Sequence, residues 1–216
     1  MKIVVFANEE QKEEWLSKPL AGDLQLRWVS NENNLLLETA DAYFNLLYQA
    51  DSNNLHAYSH VTGPVFLNEV IYPFKMIERT SISLFRMNAW PGFLKREVIE
   101  ASAADKEKIH IADNILMRLG WTCKWVPDIP GLITARVIAT VINEAYFTLE
   151  QDVSTKKEID IAMKLGTNYP YGPFEWSEII GLEKIYQLLV EMSRTDKKYI
   201  PADLLRREAE QQVTWH

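Results

Sequence analysis

His56 and His60 stand four residues apart, a spacing that puts two imidazoles on one face of a helix or of a strand. Two such groups are the beginning of a metal site, but a metal needs a third ligand and none is evident nearby. The pair reads as polar residues at a strand end, and no metal is expected. Cys123 is the only cysteine, so it has neither a disulfide partner nor a thiolate companion. It reads as a small buried hydrophobe. Glu144 and Asp160 fall within helical patterns, where capping or helix–helix hydrogen bonding is their expected work.

The opening stretch MKIVVFANEEQKEEWL raises a sharper question. Ile3 to Phe6 is an apolar, β-branched run that reads as a buried strand. Asn8 stands where a helix cap belongs, with Gln11 three residues on, a variant of the capping box. Glu9 to Leu16 continues as helix. A strand feeding directly into a helix is how a dinucleotide-binding domain begins, and such a domain needs glycines in the turn so that backbone N–H groups reach the pyrophosphate. Here the turn is Ala7-Asn8-Glu9-Glu10, and only Gly22 and Gly63 precede residue 90. Asn8 caps the free N–H groups itself. Glu9 and Glu10 would repel a pyrophosphate by about 1 to 4 kcal/mol per close pair. Ser30 ends the second strand where an acid would grip a ribose, and Glu32 comes two residues late. No cofactor is therefore expected.

These residues need elements to hold them. Leu24 to Val29, Ala42 to Leu47, Leu55 to His60, Ser81 to Arg86 and Thr122 to Val126 read as strands, with a polar loop at Ser30 to Asn34 and an amphipathic helix at Asp105 to Leu119. Strands alternating with helices predict a mostly parallel sheet covered on both faces. From Gly131 onward the patterns are helical: 131–151, 155–165, 173–180, 182–194 and 201–212. The reading is an α/β domain over 1–127 and an all-α domain over 128–216. The chain has 216 residues and a net charge of −7, which excludes nucleic acid as the main partner. No apolar run approaches the roughly 18 residues of a membrane span, and no secretion signal is visible, so a cytoplasmic protein is expected.

The second half is more specific. DIPGLITARVIATVINEA (128–145) and EIDIAMKLGTNYPYGPFEW (158–176) closely resemble the C-terminal domain of 3-hydroxyacyl-CoA dehydrogenases, and NAWPGFLKREVIEAS (88–102) is similar to a strand and loop of that family. The resemblance implies a Rossmann-like N-terminal domain, here shortened and degenerate, followed by a helical domain of the 6-phosphogluconate-dehydrogenase C-terminal type. It also implies homodimerisation through the helical domain, NAD as the family cofactor, and a place in fatty acid metabolism. Carried over residue by residue, the family's general base falls on Phe85 and the glutamate that orients it on Glu97. The serine that binds the substrate oxygen falls on Gly63 or Pro64, the helix asparagine on Ala135, and Asn88 is retained as a substrate-binding position. Phe85 should then lie beside Glu97. Phenylalanine accepts no proton, and neither glycine nor alanine offers a side-chain hydrogen bond.

Two readings follow. In the first the chain is a catalytically degenerate relative with a binding or assembly role, a homodimer that takes at most a small-molecule or acyl-CoA ligand. In the second it remains an active NAD-dependent 3-hydroxyacyl-CoA dehydrogenase with a displaced base, for which His60 is the candidate.

Overall fold

The computed structural model describes residues 1–20, 22–50, 54–74 and 82–213. Among them the chain forms two compact units, Met1–Leu132 and Ile133–His216.

The first unit is built on seven strands: β1 (Lys2–Phe6), β2 (Gln25–Val29), β3 (Ala42–Asn45), β4 (Val65–Leu67), β5 (Leu84–Met87), β6 (Val98–Ala103) and β7 (Thr122–Trp125). Their order is β2-β1-β3-β4-β5-β6-β7, and every neighbouring pair is parallel except β5 with β6. Helices α1 (Glu9–Leu16), α2 (Glu32–Leu37) and α3 (Ile109–Arg118) connect them. Ile3, Val4 and Val5 of β1 are all buried, as an apolar run covered on both faces must be. The chain leaves β1 for β2, then returns past β1 to β3. That reversal is the topological switch point where doubly wound sheets open a crevice at the carboxyl ends of their strands.

Register sets the core. Phe44 pairs with Phe66 and Phe66 with Phe85, so three rings on adjacent strands share one face. They stack at centroid distances of 4.4 and 5.1 Å. Trp15 of α1 meets Phe44 edge-on at 4.9 Å, and Trp121 and Trp28 flank it at 4.6 and 5.9 Å. Removing one such buried ring costs about 3–5 kcal/mol.

Two expectations change. Leu55 to His60 lies in a 3-10 helix (Asn54–His60), not a strand. Alternating polarity is shared by a strand and a short tight helix, and Tyr58 turns inward here to a hydrogen-bonded position. The loop expected from Ser30 instead starts α2, because the Asn31 side chain accepts from Asn34 N at 2.9 Å and caps it. Ser81 lies outside the described residues, as does the His56 side chain.

The second unit contains α4 (Thr134–Glu150), α5 (Lys156–Thr167), α6 (Pro173–Ile180), α7 (Leu182–Ser193) and α8 (Asp203–Val213). Asn143 ties α4 to the approach of α8, donating to Ile200 O at 3.0 Å and accepting from Ala202 N at 2.9 Å. Glu144 is exposed on α4. Asp160 caps α6, accepting from Phe174 N at 2.8 Å and Glu175 N at 3.2 Å. Among the described residues no helix is long and apolar enough to cross a membrane.

Gly172 is where this cap leaves no room: a Cβ there would lie 2.4 Å from Asp160 Cβ and Cγ. Gly172→Ala must push Asp160 off the first turn of α6. Urea denaturation should show a loss of about 1–3 kcal/mol, the sum of a lost cap and a strained contact.

Candidate functional site

The switch-point crevice is the place to look for a ligand, and the helix that starts there is capped by its own residues. Asn8 caps α1 by accepting from Gln11 N at 2.8 Å, while Gln11 Oε1 accepts from Asn8 N at 3.2 Å. The capping box read from the sequence is present. Its Gln11 goes further. Nε2 donates to Leu46 O at 2.9 Å and Ala89 O at 3.2 Å, just beyond β3 and β5. Asn68, just past β4, donates to Leu46 O at 3.0 Å and accepts from Ala89 N at 2.9 Å. Two carboxamides therefore clasp the carboxyl ends of the central strands, and Gln11 is buried. Glu14, one turn further along α1, accepts from the backbone N–H groups of Gly92 and Leu94 and fixes α1 to the same loop.

Glu32 is also engaged. Its Oε1 accepts from Asn45 Nδ2 at 2.8 Å and from Tyr58 Oη at 2.7 Å. Burial, reinforced by Glu32, pushes the Tyr58 phenol well above its usual pKa, so it stays a neutral donor. This carboxylate holds β3 to the 3-10 helix.

β5 carries a further polar centre. Arg86 is fully buried; it donates from Nε to Glu69 O at 2.9 Å, from Nη2 to Val70 O and Ile129 O, and pairs through Nη1 with Asp128 at 2.7 Å. Glu69 is buried too and accepts from Ile71 N and Tyr72 N. Burial raises its carboxyl against the pull of those two N–H groups and of Arg86. Every strong partner here is protein backbone or a neighbouring charge, so the cluster is built as a joint.

Within the first unit, Phe85 and Glu97, which the resemblance sets side by side, lie apart. Phe85 is buried in the aromatic row, with Trp125 edge-on at 5.6 Å. Its strand partner is Ala103, whereas Glu97 is exposed and stands six residues earlier, about 20 Å along an extended chain. The expected contact between Phe85 and Glu97 is therefore corrected; Glu97 instead acts on Lys18. Asn88 is buried just past β5, its Oδ1 accepting from Trp90 N at 3.2 Å. Gly63 precedes β4, at the amino end of the strand, where a Cβ would meet Asp41 O at 2.8 Å. The glycine is there for close backbone approach, and the carboxyl-end residues on β4 are Asn68 to Val70. His60 is exposed at the end of the 3-10 helix, also on the approach to the amino end of β4. Ala135 is buried in α4, in the other unit. Among the described residues no group of three or more His, Cys, Asp or Glu could hold a metal.

The sequence reading missed Asn68, Arg86 and the clasp made by Gln11. The i, i+3 spacing of Asn8 and Gln11 revealed the cap, but nothing local revealed the two carbonyls that Gln11 reaches across the sheet.

Gln11→Ala should cost about 1–3 kcal/mol in urea unfolding, because Ala89 O and Asn8 N lose a buried partner. Gln11→Glu should cost more, since it sets a carboxylate oxygen against two carbonyls. Near-neutral values for both would refute the clasp.

With the geometry in place, comparison with known proteins is informative. Residues 131–214 match the family model for the 3-hydroxyacyl-CoA dehydrogenase C-terminal domain. The chain is 38% identical over 96 residues to 3-hydroxyadipyl-CoA dehydrogenase of Escherichia coli K12, taking in 44% of this chain and 20% of that protein. It is 35% identical over 132 residues to 3-hydroxybutyryl-CoA dehydrogenase of Bradyrhizobium diazoefficiens, taking in 60% of this chain and 45% of that one. The match thus spans less than half the length of either relative. Among solved structures, FadB2 of M. tuberculosis superposes with a TM-score of 0.75 at 14% identity, over 97% of this chain and 93% of that one. A 3-hydroxybutyryl-CoA dehydrogenase from E. coli K12 superposes with a TM-score of 0.60 at 26% identity, over 71% and 32%.

Proposed function

We propose that the chain, whose residues 131–214 match the 3-hydroxyacyl-CoA dehydrogenase C-terminal domain, is a member of that family whose nucleotide crevice has become structure, and that it works by binding or assembly without hydride transfer. The observation that carries this reading is the Gln11 clasp. A dinucleotide in this fold sets its pyrophosphate on the free N–H groups at the start of α1. Here the Asn8 carboxamide takes one of those groups, Glu9 and Glu10 add negative charge, and the Gln11 side chain is bonded to the carbonyls just past β3 and β5. The residues present do not fit NAD. Hydride transfer also needs a base within hydrogen-bond reach of the reacting hydroxyl. Phe85 is not one, and His60 stands toward the amino end of β4, which weighs against the displaced-base alternative.

Calorimetry with NAD and NADH at millimolar concentration should show no binding, and NADH oxidation with acetoacetyl-CoA should show no turnover. A micromolar dissociation constant or clear turnover would overturn the reading. Phe85→His should not create activity either. A histidine in that aromatic row is desolvated, so its folded pKa lies below the unfolded value of about 6.5. The variant's stability should therefore be lost as pH falls through about 6.5, with the folded state binding fewer protons than the unfolded chain.

The proposed assembly is a homodimer through the helical domain. Val137 on α4 is half exposed and Leu165 on α5 is 83% exposed, with Ile161 one turn before it at 44%. Apolar side chains this open suit a partner surface. Light scattering at tens of micromolar should give twice the chain mass, and Leu165→Glu should shift it toward monomer. A monomeric wild type would end this part of the proposal.

A further inference from the structure

One face of the β5–β6 pair holds two polar atoms that the fold leaves without a protein partner. Arg86 lies opposite Ser102 and Met87 opposite Ala101, and Asn88 N donates to Glu100 O at 3.2 Å. In an antiparallel pair, residues facing one another project to the same side, so Arg86, Asn88, Glu100 and Ser102 share one face, while Phe85 and Met87 take the other. Asn88 and Ser102 are each 1% exposed. Among the described residues neither Asn88 Nδ2 nor Ser102 Oγ has a hydrogen-bond partner.

The orientation of Asn88 is not interchangeable. Its Oδ1 accepts from Trp90 N at 3.2 Å, and a flipped amide would turn its NH₂ against that N–H. Nδ2 must therefore face the other way. Asn88 and Ser102 are diagonal neighbours across the strand pair, a separation of about 7–8 Å between backbones. The span is too long for Ser102 Oγ to reach the amide directly and suits one small molecule between them.

We infer that Asn88 Nδ2 and Ser102 Oγ form a binding site for one internal water. The amide donates to the water oxygen, and the serine hydroxyl, free to rotate, donates to it or accepts from it. Buried polar groups in native proteins find partners, and a water with two or more polar neighbours is the usual one where no side chain reaches. Asn88, which the family resemblance offers to substrate, is on this account engaged inside the protein. The inference stands whether or not the crevice binds a nucleotide.

A crystal structure of the full chain at high resolution should show a water within hydrogen-bond distance of both atoms. No density there, or Asn88 bonded directly to protein through Nδ2, would overturn the site. In solution, the Asn88 side-chain NH₂ should show a water cross-peak in the NMR spectrum. Ser102→Val, which fills the space, should abolish it, and Ser102→Ala, a smaller change should the valine variant not fold, should weaken it. A cross-peak untouched by Ser102→Ala, or missing in the wild type, would equally refute the proposal.

Discussion

The Gln11 carboxamide serves three partners at once: it accepts from the cap residue of its own helix and donates to two carbonyls beyond β3 and β5. Each bond is worth only about 1 kcal/mol net, but each one left unmade would strand a buried polar group at several times that cost. That asymmetry fixes α1 to the sheet. Glu14 adds a second attachment one turn on, and Trp15, the next residue, enters the aromatic row. Contacts at Gln11, Glu14 and Trp15 thus tie two turns of α1 to the sheet and its loops.

The same economy governs β5. Phe85 and Arg86 are adjacent, so strand alternation sends one into the aromatic face and the other to the opposite face. An arginine buried without exposure is tolerated because backbone carbonyls and Asp128 take up its donors. The segment beyond β4 and the segment before α4 are thereby pinned to one strand.

Local chemistry was legible and distant chemistry was not. The cap at Asn8 and the stops around α6 depend on residues within a turn or on Gly and Pro punctuation, whereas Asp160 reaches the first turn of α6 from another helix, 14 residues earlier in the chain. The motifs of the helical unit carried the family. Counting along a motif gave Phe85 its position in the chain but not its depth or its neighbours, which register with β4 and β6 decides.

The two outermost strands have a consequence for solubility. A seven-stranded sheet that does not close into a barrel ends in unpaired backbone, and such edges template further strands. Here β2 presents exposed Gln25 and Arg27, the arginine paired with Glu38 at 3.4 Å, and β7 presents exposed Thr122 and Lys124. Two copies meeting edge to edge at β7 would bring their Lys124 cations to one border. The sheet is thereby discouraged from growing into fibrils, and any self-association is left to surfaces whose geometry closes on itself.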